Sequence, residues 1–361
     1  MTQWQLPPRY KATGVKFGGG GMGEAFVCED EHLERDVLVK TLQEGIDQKR
    51  ITDELRALSE IRSKHVVQIY DVVKDASGDV RAIVEELLSG PDLTQTGSQN
   101  NRTDFFRLTL QIATGIADIH EHGRVHRDIK PNNMKYDSEG VLKIFDFGLS
   151  RIQGIDSATL AKIGTPGFMA PELFMATKGG SVQFSKAVDT FAFGSTALYC
   201  GTGVVPKCLM KFPPALPCSE ANFSNLPFAL PEEVRTTLNQ CFSYDPVARP
   251  EMGQVRDVIA KYILSDSHRA QLVVASTLHT LSATNRVVNI AAGNGRGGCR
   301  LTYDGHAFVF SEVTGFVAMN NIQVANGMQL VGSCVLAFGH PDLGGGRLFI
   351  PIDISNPEVN A

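Results

Sequence analysis

Short apolar runs with strand character fill the first part of the chain. AFVCED, DVLVKTL, VVQIYDVV and VRAIVEEL are rich in β-branched residues, and a glycine turn, FGGGGMG, precedes them. Between the second and third of these runs, the spacing predicts a helix over about Asp47 to Arg62. The pattern then changes. In TDFFRLTLQIATGIADIHEHG the apolar residues Phe105, Leu108, Ile112, Ile116 and Ile119 recur every three or four positions, which gives a helix one buried face, with Thr103 as its expected cap and Gly123 as its stop. A β-rich first lobe is thus followed by an α-rich second one. Toward the end the strand pattern returns in VVNIAA, CRLTYD, HAFVFSEV, QLVGSCVLAF and RLFIPIDI, separated by GNGRGG, DG, NG and HPDLGGG turns, and predicts a small all-β sandwich or barrel. GNGRGG reads more readily as a hairpin turn than as a phosphate cradle.

Composition sharpens the last boundary. No lysine follows Lys261, and the final stretch is poor in charge and rich in glycine and asparagine, so the expected division is residues 1–265 and 266–361, with lobes of about 10–88 and 89–265 in the first part. A net charge of -5 and a pI near 6.0 offer no basic field for a nucleic-acid backbone. No apolar window approaches the length of a membrane span. MTQWQLPPRYKATG has no apolar secretion core, and the seven scattered cysteines, none in a CxxC pair, read as reduced thiols. A soluble cytoplasmic protein is expected.

The densest polarity lies in VHRDIKPNNMKYDSEGVLKIFDFGLSR, Val125 to Arg151. Asp128 and Asp146 sit beside short apolar runs, so their carboxylates belong near the top of a core and need a cation, while Lys130, Asn132 and Asn133 are placed to order a metal, a phosphate or both. Upstream, Gly18, Gly20 and Gly23 have G-x-G-x-x-G spacing. The residues after the third glycine are strand-like, AFV, which disfavours a dinucleotide fold and suits glycines that let backbone N–H groups approach phosphate oxygens. Lys40 interrupts the apolar strand VLVK and reads either as an edge lysine reaching water or as a phosphate ligand.

Taken in order, the glycine loop, Lys40, Glu54 in DELRALSEI, HRDIKPNN, DFG, GTPGFMAPE, Asp189 in KAVDTFAFG and Arg249 in DPVARP resemble the eukaryotic-like Ser/Thr protein kinases, particularly bacterial members with a GGMGE-type loop. The resemblance spans about Tyr10 to Leu264 and implies a two-lobed α+β kinase fold followed by the β-domain. It implies a phosphotransferase that uses ATP and Mg2+ on protein substrates, itself included, and a homodimer would permit autophosphorylation in trans. Under it Lys40 holds the α- and β-phosphates and pairs with Glu54, which is preferred to Glu60 because Leu58, four residues on, then packs inward with Ile69. Asp128 takes or orients the hydroxyl proton, Lys130 neutralises the γ-phosphoryl, and Asn133 and Asp146 hold Mg2+. Gly18, Gly20, Gly23, Ala25, Leu38, Glu86, Leu88 and Asp92 surround the nucleotide. Glu172 and Arg249 are expected as a buried ion pair, and His126, Phe147, Leu58 and Ile69 as an apolar column tied to Asp189. Lys130 together with Thr165 points to Ser/Thr rather than Tyr substrates.

Some positions depart from the family's habit. Leu38 and Ala25 exchange bulk over the adenine, Asn132 stands where an acid is common, and Glu85 occupies an apolar position at the back of the nucleotide pocket, where its carboxylate must find a donor or become neutral. A pseudokinase scaffold is the alternative that Leu38 would support; a small-molecule kinase is opposed by Glu172 and Arg249. Regulation is expected in the loop after Asp146. Ser157 or Thr159 would receive a phosphate clamped by Arg127 with Arg151 and Lys162, whereas Thr165 would bond within the site.

Overall fold

The computed structural model describes residues 5–20, 23–42, 47–147, 165–174, 184–330 and 332–355. Ser157, Thr159, Arg151 and Lys162 lie outside them. The chain divides into two compact units, Met1–Ile259 and Ala260–Ala361.

The first unit opens with strands β1 (Tyr10–Gly20), β2 (Gly23–Asp30) and β3 (Arg35–Thr41), helix α1 (Gln48–Ser59), and strands β4 (Ile69–Lys74) and β5 (Val80–Glu86). The strands form one antiparallel sheet in the order β1-β2-β3-β5-β4. Alternation along β3 decides what each face carries. Val37 and Val39 pack with Tyr10, Cys28, Val73, Ala82 and Val84 on one side, which leaves Leu38 and Lys40 for the other. On that other side α1 buries Ile51, Leu55 and Leu58 in a cluster that includes Ile83, Ile69 and Phe147.

The helical part follows with α2 (Arg102–Glu121), the short pair β6 (Met134–Tyr136) and β7 (Leu142–Ile144), then α3 (Lys186–Thr202), α4 (Glu232–Gln240) and α5 (Met252–Ile263). The cap of α2 is Asn101, whose side chain accepts from the N–H of Asp104, two residues before the expected Thr103. Asn fixes the extended entry of the chain as well as a Thr would, and the hydrophobic period alone does not choose between them. Glu172 and Arg249 form a bidentate pair at 2.7 Å, with the Arg249 side chain fully buried. Cys208 and Cys218 are joined in a disulfide, which corrects the reading of all seven cysteines as thiols; the other five are free and buried. A ten-residue spacing carries no sign that two side chains will meet.

The second unit is a sandwich. A four-stranded sheet runs β10-β11-β12-β15, comprising β10 (Val287–Ala291), β11 (Gly297–Tyr303), β12 (Phe308–Gly315) and β15 (Gln329–Leu330). A six-stranded sheet runs β14-β13-β16-β17-β8-β9, comprising β14 (Ile322–Gln323), β13 (Val317–Met319), β16 (Cys334–Phe338), β17 (Leu348–Ser355), β8 (Arg269–Val274) and β9 (Thr277–Leu281). Leu301, Phe308 and Phe310 of the first sheet meet Leu272, Leu336, Phe338 and Ile350 of the second in one core. GNGRGG closes the β10–β11 hairpin, where Ala291 faces Gly298. Gly297 is required there: its φ is +109°, and a Cβ would lie 2.3 Å from the Thr314 carbonyl oxygen.

Candidate active site

The segment from His126 to Asn133 is held by a buried carboxylate below it. Asp189, on the first turn of α3, accepts from the backbone N–H of His126 at 2.7 Å and of Arg127 at 2.8 Å, and lies 3.0 Å from His120 Nε2. Two charge-assisted bonds keep Arg127 at φ +71°, in the left-handed region that a β-carbon disfavours. The next residue, Asp128, is thereby aimed outward. His126 is fixed as a neutral ring: its Nδ1 accepts from the Asp128 N–H at 3.3 Å while Nε2 donates to the Phe145 carbonyl at 3.1 Å, and burial lowers its pKa. Its ring lies 5.0 Å from that of Phe147, which shares a cluster with Leu58 and Ile69.

Around Asp128 the polar side chains converge. Lys130 Nζ is 2.8 Å from Asp128 Oδ2 and donates to Thr165 Oγ1 at 2.8 Å. Asn133 Nδ2 donates to the Asp128 carbonyl oxygen at 2.8 Å and to Oδ2 at 2.9 Å, which turns its amide oxygen away from that carboxylate. Asp146 has φ +64° and lies 3.7 Å from Lys40 Nζ. Asp128, Lys130, Asn133, Thr165, Asp146 and Lys40 are therefore brought into one region. Arg127 directs its guanidinium over the Phe184 ring at 5.4 Å.

The expected Lys40–Glu54 pair is corrected. Lys40 Nζ is bound by Glu85 Oε1 at 2.6 Å, and Glu54 meets Arg124 Nη1 at 3.4 Å instead. The sheet register gives the reason. Leu38 of β3 faces Glu85 of β5 and Lys40 faces Ile83, so Lys40 and Glu85 are diagonal neighbours on the same face. The acid is delivered by the neighbouring strand, whereas Glu54 borders the buried stripe of α1. Burial alone would lower the pKa of Lys40, but Glu85 and Asp146 outweigh it and hold the ammonium above its ordinary range. Glu85 is 7% exposed, and burial pushes its carboxyl up against the pull of Lys40. The sequence shows a lysine interrupting the apolar strand VLVK and, at Glu85, a carboxylate in need of a donor, but does not by itself join the two. The alternating positions of adjacent strands were the available signal.

The remaining nucleotide-pocket expectations fall as follows. Gly20 and Gly23 face each other where β1 and β2 approach their turn, with Gly18 on the same strand β1. Ala25 is opposite Lys40, and Leu38 opposite Val27. The Glu86 carboxylate is engaged by Lys143 at 2.8 Å and by the Gln68 N–H at 3.2 Å, so its side chain ties β5 to β7. Leu88 is buried in the cluster that also contains Ile83, Ile119 and Phe147, and Asp92 lies 3.8 Å from Lys135.

Residues 12–259 match the protein kinase domain family. A probable serine/threonine-protein kinase of Clostridium acetobutylicum is 28% identical over 211 residues, 56% of this chain and 31% of that protein. Serine/threonine-protein kinase PrkC of Bacillus subtilis is 30% identical over 214 residues, 56% of this chain and 32% of that protein. The probable serine/threonine-protein kinase PknB of Bifidobacterium longum is 30% identical over 178 residues, 44% of this chain and 26% of that protein. The chain thus spans no more than about a third of the length of these curated relatives. Among the described residues no helix is long and apolar enough to cross a membrane. With the kinase-domain match covering well over half of its residues, the chain belongs to the protein kinase family.

Proposed function

We propose that the protein transfers the γ-phosphoryl group of ATP to serine or threonine hydroxyls of proteins, its own chain included. The observation that carries this reading is the convergence of Lys130, Asn133 and Thr165 around Asp128. The acceptor oxygen forms a bond to the γ-phosphorus, the bond from that phosphorus to the bridging oxygen breaks, ADP leaves, and Asp128 receives the hydroxyl proton. Lys130 sits beside the path of the group in flight and offsets its charge. Lys40 anchors the α- and β-phosphates.

Asp146 and Asn133 would hold Mg2+ through hard oxygen donors, since the Asn133 amide spends its nitrogen on Asp128 and keeps its oxygen as an acceptor. The ion would neutralise phosphate charge and orient the γ-phosphoryl. Ala25, Leu38, Leu88, Asp92 and the backbone of Glu86 would hold the nucleoside, with Gly18, Gly20 and Gly23 over the phosphates. Ser157 and Thr159 remain the proposed acceptors for a loop phosphate that Arg127 would clamp. The second unit, with its own core, is proposed as an accessory module, and residues 1–265 as the kinase part.

The test is incubation of the full chain with Mg2+ and labelled ATP. Wild-type protein incorporates label on Ser or Thr, and Asp128→Asn loses about a thousandfold or more in rate with an unchanged melt. Equal incorporation by Asp128→Asn would reject the reading.

A further inference from the structure

We propose that the Cys208–Cys218 disulfide is a redox-sensitive clasp that holds the segment carrying Thr165 in the shape that seats the protein acceptor. The inference rests on the kinase reading and adds a means of control to that same site. Between the end of α3 at Thr202 and Phe223 the chain forms no helix or strand, and the bridge closes the middle of this stretch across a separation of ten residues. The stretch lies against the site. A Cβ on Gly167 would lie 2.6 Å from Val205 Cγ1 and 2.9 Å from Met210 Sδ, and the Phe212 ring is 5.5 Å from that of Phe174. Gly167 is two residues from Thr165, whose hydroxyl accepts from Lys130 beside Asp128.

Packing by itself holds this stretch loosely. Met210 and Phe212 are 46% and 54% exposed, so about half of each apolar side chain stays in water even as it touches Gly167 or Phe174. The Ala215 N–H donates to the Cys208 carbonyl oxygen at 2.9 Å and the Lys207 N–H to Glu220 Oε2 at 3.1 Å, both beside the bridge. Opening the bridge leaves these few contacts to offset the closure entropy that the covalent bond had removed. Accessibility selects this pair for redox chemistry. The five free cysteines and Cys208 are buried, whereas Cys218 is half-buried, so a thiol enters from the Cys218 side. The thiolate of a dithiol reductant attacks Cys218 Sγ, the S–S bond breaks, and Cys208 leaves as a thiolate that takes up a proton; the second thiol of the reductant then displaces Cys218 from the mixed disulfide. Two electrons and two protons pass to the protein, which now carries two thiols, and the reductant departs as a disulfide. The loop loosens from Gly167 and Phe174 and acceptor binding weakens, while Asp128 and Lys40, mounted on elements outside the loop, keep their places.

The full-length protein, equilibrated with dithiothreitol or with oxidised glutathione, tests this. Reduction is expected to raise KM for a Ser/Thr protein acceptor about tenfold, with kcat and KM for ATP changed by less than about twofold, and reoxidation restores the low KM. The Cys208→Ser, Cys218→Ser double variant is expected to show the high acceptor KM in both buffers. Alkylation of the native protein followed by peptide mapping should label Cys208 and Cys218 only after reduction. Amide hydrogen exchange across residues 165–174 should quicken about tenfold on reduction, a readout that needs no phosphate transfer. An equal acceptor KM in the two buffers, an equal exchange rate, a response to reductant that persists in the double variant, or alkylation of both cysteines before reduction would overturn the inference while an active wild type leaves the kinase reading standing. If neither state transfers phosphate the kinase reading falls; unequal exchange would then still support the clasp, and equal exchange would remove both.

Discussion

The first unit buries Asp30, His65, Glu85, His126, Asn133, Lys143, Asp189 and Arg249, whereas among the described residues the core of the second unit contains no buried charged side chain and is built from Leu, Ile, Val, Phe and Tyr with a few Ala and Cys. Burying a charge costs several kcal/mol unless a partner offsets it. The charged ones among them mark geometries that are held: Asp189 fixes the backbone before Asp128, Glu85 binds Lys40, and Lys143 fixes the end of β5 through Glu86. Among the described residues the second unit holds no charged side chain inside in this way. Its core answers to volume and shape.

The contrast makes different substitutions costly in the two units. In the first, Glu172→Gln keeps the size of the side chain but leaves Arg249 without its counter-charge. Arg249 is fully buried and also donates to the carbonyls of Ser243 and Ala187, so it cannot turn to water. A loss of about 4 kcal/mol is expected, nearly the same for Glu172→Ala, because the penalty is the stranded charge and not the missing atoms. Denaturant unfolding of the two variants checks this; a Glu172→Gln protein as stable as wild type would show that the pair is not what organises this part of the unit.

In the second unit, volume should decide. Leu336 is completely buried between the sheets, and Leu336→Ala is expected to cost about 3 kcal/mol in the unfolding of that unit. Leu336→Met, which conserves volume, should cost less than about 1.5 kcal/mol. If the two substitutions destabilise equally, the sandwich is specified by something other than packing, and the contrast between the units weakens.

How much of this was legible in the sequence follows the same division. Where a polar residue recurs in a fixed local pattern, as in HRDIKPNN, the chain itself brings Asp128, Lys130 and Asn133 together, and reading them as one site needed no tertiary knowledge. The β-runs of the second unit were legible because period-two alternation survives in a two-sided sandwich, although β8 and β9, which complete its larger sheet, were not read as strands. Long-range pairing was harder. Glu85 and Lys40 are 45 residues apart, and only the β3–β5 register makes them diagonal neighbours. Preference for Glu54 came from helix spacing, which tells which face of α1 is buried but not what stands opposite it. The Cys208–Cys218 disulfide closes a loop with no periodicity to read.

His65 supplies the finest test of the contrast, because it is a titratable group buried for packing and not for chemistry. It is wholly inaccessible and its Nδ1 lies 3.0 Å from the Leu142 carbonyl oxygen, to which the neutral ring donates. Nε2 has no hydrogen-bond partner among the described residues. Gly115 lets α2 close over the residue, since a Cβ there would lie 2.8 Å from the His65 carbonyl oxygen. Burial pushes the pKa of the ring down to about 4, with Lys64 and Lys143 lowering it further and the Leu142 carbonyl and Asp137 opposing. The unfolded chain titrates near the ordinary 6.5, so on acidification it takes up a proton that the folded chain refuses. Stability from this residue is present above pH 6.5 and is lost progressively as the pH falls toward 4. Between pH 7 and pH 5.5 the expected loss is about 1 kcal/mol. Urea unfolding at both pH values, in wild type and in His65→Gln, isolates the contribution: the variant should show a pH dependence shallower by about that amount. Identical slopes would mean that His65 charges in the folded state as readily as in the unfolded one, and that the first unit tolerates a buried cation at a position where the sheet and α2 leave it no counter-charge in contact.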